Sequence, residues 1–259
     1  MRIPIYRLDA FADAVFAGNP AAVCPLGDWL PDATMQAIAA ENNLPDTAFF
    51  VGGRGAYTIR WFSPTVEASL CGHATLASAA VVTTHLEPGL ARVTFNSPRA
   101  GALSVARDGD RYTLDLPSWP PKPVPMPGGL ERALGARPLE VLATRDYLCV
   151  FADEAAVKAL RPDMALLRQM DKAVIATAAG TECDFVSRFF APCRGIDEDH
   201  VTGSAHCTLT PFWAGRLGKT GMVGRQLSTR GGELAVALKG DRVAVGGRVA
   251  PYLEGTIHV

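Results

Sequence analysis

The chain has 259 residues, with 25 basic against 26 acidic side chains, a formal net charge of −1, and 48% hydrophobic residues. That balance excludes a basic field for nucleic acid or anionic lipid. No apolar stretch reaches the ~18 residues of a membrane-spanning helix, and Met1-Arg2-Ile3-Pro4-Ile5-Tyr6-Arg7 lacks the apolar run of an export signal. Cys24, Cys71, Cys149, Cys183, Cys193 and Cys207 are scattered without a CxxC pair. They are expected as reduced thiols in a cytoplasmic protein.

Ile3, Ile5 and Leu8 begin a strand that runs to the turn signal Gly18-Asn19-Pro20, and residues 21–25 form a second, apolar one. Asp32 is placed as the N-cap of a helix with Met35, Ile38 and Ala39 on its buried face, ended by Asn42-Asn43-Leu44-Pro45. Residues 47–51 and 57–62 are strands around Gly52-Gly53-Arg54-Gly55, which is therefore a hairpin loop; a phosphate loop would open a helix. From Gly72 onward Ala74, Leu76, Ala77, Ala79, Ala80 and Val81 leave no polar face, the pattern of a buried helix. Strands at 92–95, 101–107 and 111–116 follow, with a hairpin turn at Asp108-Gly109. Residues 116–128 hold six prolines and read as a stiff linker. Beyond it a second buried helix runs from Gly203 through Leu209 to Trp213. Strands follow at 226–227, 232–238 and 242–245, with a turn at Lys239-Gly240, and a last strand at 255–259.

The second half repeats the first. Residues 97–111 and 228–242 are identical at nine of fifteen positions, at an offset of 131. Glu67-x4-Gly72-His73-Ala74 returns as Glu198-x4-Gly203-Ser204-Ala205 at that offset, and Arg60-Trp61-Phe62-Ser63-Pro64 as Arg188-Phe189-Phe190-Ala191-Pro192. So long a period fits two domains and no solenoid. We place one at 1–118, joined by a last strand at about 248–259, and the other at 119–247. Each is expected to be a mostly antiparallel sheet wrapped on one buried helix, an α+β arrangement. A ligand site is expected in the cleft between them.

The candidate functional residues are the places where the copies differ. His73 stands opposite Ser204, Ala68 opposite Asp199, and Cys71 opposite Thr202. Both helices start at a glycine, where unpaired N–H groups and the positive end of the helix dipole favour a small carboxylate. Gly72, Ala74, Gly203 and Ser204 are therefore expected to touch substrate. No Gly-x-Ser-x-Gly elbow supports a hydrolase. His200 and His206 lack the helical spacing of a zinc pair, and no GxGxxG follows a strand; no metal and no cofactor are expected.

Gly18-Asn19-Pro20, Asn43-Leu44-Pro45-Asp46-Thr47-Ala48-Phe49, Cys71-Gly72-His73-Ala74-Thr75 and Asp199-x2-Thr202-Gly203-Ser204-Ala205-His206 resemble, in order, the signatures of the phenazine-biosynthesis isomerase family, PhzF-like. The likeness runs from Asp9-Ala10-Phe11 to Gly255-x-Ile257. It implies the diaminopimelate epimerase-like fold, duplicated, with each domain a curled sheet around a helix. It also implies a cofactor-independent isomerase, a homodimer, that moves a proton on a small carboxylate-bearing substrate. Carried over by motif, the general acid/base falls on Asp46, the histidine on His73, a second acid on Asp199 and a serine on Ser204; Asn19 and Cys71 join the substrate contacts. The family's proton-shuttling residue is a glutamate, so Asp46 draws the carboxyl back by one bond, about 1.5 Å. Cys71 keeps the place of one of the two opposed thiols of the related epimerases, and Thr202 at the matched position disfavours a two-thiol mechanism. An amino-acid epimerase or racemase, and a non-catalytic small-molecule-binding or interaction protein on the same fold, are the alternatives.

Overall fold

The computed structural model describes residues 1–259. The chain forms two compact units, one of residues 1–115 with 246–259 and one of residues 116–245. No helix is long and apolar enough to cross a membrane.

In the first unit β1 (Arg2–Ala10) pairs antiparallel with β2 (Asn19–Pro25). The connection between them is tight. Phe11 and Phe16 take left-handed backbone, and Gly18 lies at φ +66°, where an added Cβ would stand 2.2 Å from the Ala10 carbonyl oxygen. Only glycine fits there. Then come α1 (Asp32–Asn42), β3 (Asp46–Gly53) and β4 (Ala56–Phe62). Asp32 is the first helical residue and not the cap, which is Pro31. Its carboxylate reaches across to the Arg60 guanidinium, 2.8 Å away, instead of folding back on the helix. β3 runs parallel to β2 with Asp46 opposite Ala21, and turns into β4 at the glycine-rich loop, Gly53 opposite Ala56.

A two-residue strand, β5 (Glu67–Ala68), then folds back on β4 and leads into α2 (Gly72–Val81). Every residue of α2 after Gly72 is buried. The helix tolerates hydroxyls there because each one bonds back to the preceding turn: Thr75 Oγ1 to the Cys71 carbonyl at 2.6 Å and Ser78 Oγ to that of Ala74 at 2.7 Å. β6 (Arg92–Ser97), parallel to β4, then β7 (Gly101–Asp108) and β8 (Arg111–Pro117) follow by hairpins.

The second unit opens with residues 116–128. These are not wholly irregular, since Lys122–Pro123 forms a short strand, β9, against β10 (Glu140–Ala143). α3 (Leu130–Leu134), β11 (Tyr147–Val150), α4 (Glu154–Ala159) and α5 (Met164–Arg168) bury one apolar cluster around Leu130, Leu134, Val157 and Leu167. Asp153 and Asp163 cap α4 and α5 by accepting backbone N–H bonds, the usual job of an aspartate there.

β12 (Val174–Ala179), β13 (Phe185–Ala191) and β14 (Ile196–Asp199) lead to a 3₁₀ turn at Gly203–Ala205 and then α6 (His206–Leu217). The second copy's α-helix thus begins at His206, three residues later than the repeat suggests. β15 (Gly221–Gln226) runs parallel to β13 and pairs antiparallel with β16 (Gly232–Lys239). The order of pairings repeats: β4 with β5, then the helix, then a strand parallel to β4, matches β13 with β14, helix, and a strand parallel to β13.

β17 (Arg242–His258) is one continuous strand where the sequence pattern suggests two short ones. Its residues from Gly246 belong to the first unit and pair with β1 from Val249 opposite Ala10 to His258 opposite Arg2, with a bulge at Arg7/Leu8. Exposed side chains along 251–256 hide the apolar alternation that would have revealed the strand.

Candidate active site

Three side chains converge at the start of α2. Asp46 opens β3 directly after α1 ends in left-handed Asn43, whose N–H closes the helix on the Ala39 carbonyl at 3.2 Å. That sharp exit puts Asp46, 9% exposed, at the end of a strand whose next four residues are fully buried. Cys71 is the N-cap of α2, in extended backbone, and makes no side-chain cap bond to the helix. Its thiol instead donates to Asp46 Oδ2 at 3.1 Å. His73, two residues into the turn and also buried, sets its Nδ1 3.4 Å from the same sulfur and its Nε2 4.0 Å from Asp46 Oδ2. Asp46 and Cys71 are 25 positions apart in sequence, so only the fold brings them together.

Around this cluster, Gly72 and Ala74 provide the first backbone of α2. The first N–H groups of an α-helix have no partner within it. The Thr75 N–H is the first to turn back, to the Cys71 carbonyl at 3.2 Å. Asn19 starts β2, opposite Ala10, and is fully buried. Glu41, the carboxylate five residues before Asp46, is exposed at the end of α1.

The carboxylate, thiol and imidazole lie with one ligating atom each within 4.8 Å of one another, and these donor types could hold a metal ion. The sequence pattern does not show this group, because only Cys71-x-His73 is local.

In the second unit Asp199 ends β14 and accepts a hydrogen bond from Thr202 Oγ1 at 2.6 Å. Buried Gln226 ties this turn together. Its Oε1 accepts the Thr202 N–H at 2.8 Å, and its Nε2 donates to the Asp199 carbonyl at 2.8 Å and to Thr202 Oγ1 at 3.2 Å. Ser204 is half-buried on the 3₁₀ turn beside buried Gly203. His206, wholly buried, bonds through Nδ1 to the Thr202 carbonyl at 2.9 Å, and desolvation pushes its pKa down to about 4. It stands where Thr75 stands in the first copy, and closes the same turn.

Neither Gln226 nor the two clamps behind the helix starts was singled out from the sequence. Arg60 holds Glu67 through Nε at 2.8 Å and a terminal nitrogen at 3.1 Å; Arg188 holds Glu198 in the same way at 2.8 and 2.9 Å. Each arginine also lies over the ring of the phenylalanine two residues on, Phe62 or Phe190. The clue was present in the repeat, since Arg and Glu recur in both halves, but their pairing is read only from the hairpin register. All six cysteines are free thiols. Burial pushes Cys24, Cys149 and Cys207 up to about 12, which leaves them inert as nucleophiles or ligands.

Comparison with known proteins places the chain in a family. The family model described as phenazine biosynthesis-like protein matches residues 8–255. An isomerase of Pseudomonas aeruginosa, itself uncharacterised, is 49% identical over 260 residues and covers 100% of both chains. One of Halalkalibacterium halodurans is 42% identical over 267 residues, 99% of each. The crystal structure of a PhzF-family phenazine biosynthesis protein from Enterococcus faecalis superposes with a TM-score of 0.97 at 43% identity over the whole of both chains. More remotely, a hydroxyproline epimerase from Agrobacterium vitis shares the fold, with a TM-score of 0.61 at 10% identity over 99% of this chain and 92% of that one. The chain belongs to the phenazine biosynthesis-like family, among relatives named as isomerases.

Proposed function

We propose that the protein is a cofactor-independent isomerase that moves a proton on a small carboxylate-bearing substrate, with Asp46 as the acid/base. One observation carries this reading: a buried carboxylate at a strand start faces the thiol N-cap and the histidine of a buried helix. Asp46 takes a proton from a carbon next to a carboxylate or conjugated system and returns it at another position, so the substrate is rearranged with no net redox change. His73 and Cys71 orient the carboxylate. The N–H groups of Gly72 and Ala74 and the amide of Asn19 receive the substrate's anionic end. In the second unit Asp199 serves as the further acid, and Gly203 and Ser204 as further binding groups. The repeated order of pairings supports reading the two units as a duplicated module, and the family resemblance supports a homodimer.

The deciding experiment is incubation in D₂O with a panel of unsaturated cyclic acids and amino acids, followed by NMR. Native protein incorporates deuterium into one class. Asp46→Asn, which keeps size and removes the titrating group, stops incorporation and leaves ligand binding within a few fold. Unchanged exchange in Asp46→Asn removes Asp46 from the mechanism, and no exchange with any acid favours a non-catalytic binding protein. An amino-acid epimerase is the second reading, favoured by the Cys71 thiol beside Asp46; exchange at Cα with inversion of configuration selects it.

A further inference from the structure

We propose that Asp46, Cys71 and His73 also form a binding site for a thiophilic divalent cation of the zinc type, and that its occupancy blocks proton transfer. The blocking half rests on the reading of Asp46 as proton shuttle; the binding half does not.

The donor set is the first reason. A sulfur, an imidazole nitrogen and a carboxylate oxygen are the three ligand types that zinc takes, whereas magnesium and calcium ask for oxygens. Geometry is the second. Sγ to Oδ2 is 3.1 Å, Sγ to Nε2 is 3.9 Å and Nε2 to Oδ2 is 4.0 Å. A point equidistant from three atoms so spaced lies about 2.1 Å from each, within the range of zinc bonds to nitrogen, oxygen and sulfur, about 2.0–2.3 Å. Shifts of a few tenths of an ångström, with a turn of the imidazole about its broad χ2 torsion, bring a lone pair onto that point. Three protein ligands leave one position open for water, the pattern of an accessible site and not of a closed structural one.

Preorganisation is the third reason. Cys71 and His73 sit on the first turn of a helix buried along its length, and Asp46 on the end of a buried strand. Little chain entropy is left to lose on binding. On binding, the Cys71 thiol gives its proton to solvent, the sulfur and imidazole bind the cation, and the Asp46 oxygen that would receive the substrate proton becomes a ligand. No other group of three such residues converges in the molecule.

Cobalt(II) and zinc(II) are the probes, added to the full chain freed of metal by chelator and dialysis. Native protein should show one equivalent of cobalt with a thiolate-to-cobalt charge-transfer band, displaced by zinc. Zinc should stop deuterium exchange, and a chelator should restore it. Cys71→Ala should abolish the charge-transfer band, and Cys71→Ala and His73→Asn should each weaken zinc binding, measured by calorimetry, by about a hundredfold or more. Cys183→Ser/Cys193→Ser, which removes the two half-buried thiols elsewhere, should leave both readouts intact. Circular dichroism of each variant separates lost ligands from lost fold. Absence of the band in native protein, or unchanged zinc affinity in folded Cys71→Ala, overturns the site whatever the exchange assay shows. Zinc bound at this site with exchange undiminished overturns the block, and with it the role of Asp46 as shuttle.

Discussion

Lengthening Asp46 by one methylene tests whether the first turn of α2 was built for the shorter acid. Asp46 Oδ2 already sits 3.1 Å from Cys71 Sγ, and the side chain is buried. Asp46→Glu advances the carboxyl by about 1.5 Å, into space the sulfur holds, so the side chain must fold off its rotamer or the strand end must move. Overpacking of this kind costs about 1–3 kcal/mol. A reacting group displaced by about 1 Å loses on the order of a hundredfold in rate. Cys71→Ala removes the obstructing sulfur, and costs about 1 kcal/mol itself by leaving a small gap. The double variant should therefore be more stable than the sum of the singles by about 1–2 kcal/mol, and should recover at least about tenfold in exchange over Asp46→Glu. Urea denaturation gives the stabilities and deuterium incorporation in D₂O the rates. Unchanged stability in Asp46→Glu with exchange at or above the native rate refutes the reasoning, as do effects that simply add. Cys71 would then not be what sets the length of the acid.

Arg188→Met leaves Glu198 largely buried without its bidentate partner. It should cost about 2–3 kcal/mol by urea denaturation, and Arg60→Met should cost less than a fully buried pair would, because Arg99 still holds Glu67 at 2.9 Å. Gly18→Ala forces a Cβ into the Ala10 carbonyl at a left-handed φ and should lower stability by about 2–4 kcal/mol; Gly109→Ala, also left-handed but facing open space, should cost only about 1 kcal/mol. The folded-state pKa of His206 is about 4, against 6.5 for the free side chain. Between those values the unfolded chain holds a proton that the folded one rejects. Stability should thus fall as pH drops from about 6.5 to 4, by up to about 3 kcal/mol, and His206→Gln should flatten that part of the profile in denaturation at stepped pH. Exchange activity should survive chelator and dialysis, and loss that added metal restores would overturn the cofactor-independent reading.

Local signals carried much of the fold into the sequence. The small apolar run after Gly72, the glycine turns at Gly109 and Gly240, and the strands flanking those two turns are short-range patterns, and the structure has them close to where periodicity places them. The strand expected at 226–227 is instead the end of β15, β1 stops at Ala10 well short of Gly18, and the pattern does not announce β10 to β14. Boundaries failed where a tertiary partner decided the outcome. Asp32 has the chemistry of a cap, but Arg60 claims its carboxylate from another strand. β17 looks broken because its middle residues are exposed, while β1 holds them in register. The helices α3, α4 and α5 are each only five or six residues long, too short for a helical period to declare itself; only the aspartate caps of α4 and α5, Asp153 and Asp163, mark their starts. At the site, the residue types were legible and the contacts were not. Asp46, Cys71 and His73 each stand in a recognisable motif, but nothing in the chain announces that a thiol 25 positions away becomes the carboxylate's neighbour.

The turns before Gly72 and Gly203 hold their carboxylates differently. In each, the residue before the glycine meets a carboxylate: Cys71 meets Asp46, and Thr202 meets Asp199. The donors differ in strength. A hydroxyl at 2.6 Å is a firm partner, and Thr202 is itself fixed by Gln226 on both its N–H and its oxygen. A thiol at 3.1 Å is a weak one. A carboxylate that must give and accept a proton in turn needs a neighbour that yields readily, whereas one that must stay in place needs the opposite. The turn residues follow the same division. Thr75 closes the first turn with a hydroxyl that costs little to bury, and His206 closes the second with a ring held neutral by burial, whose Nε2 has no hydrogen-bonding partner. On the proposal that Asp46 shuttles the proton, the first turn offers it a yielding neighbour and the second holds Asp199 fixed. If so, Thr202→Cys, which gives the second turn the first turn's weak donor, should loosen Asp199 and slow exchange by several fold without unfolding the chain. Cys71→Ser, which gives the first turn the firm donor, should slow it more. A Cys71→Ser variant with native exchange would show that the softness of the thiol has no part in the reaction.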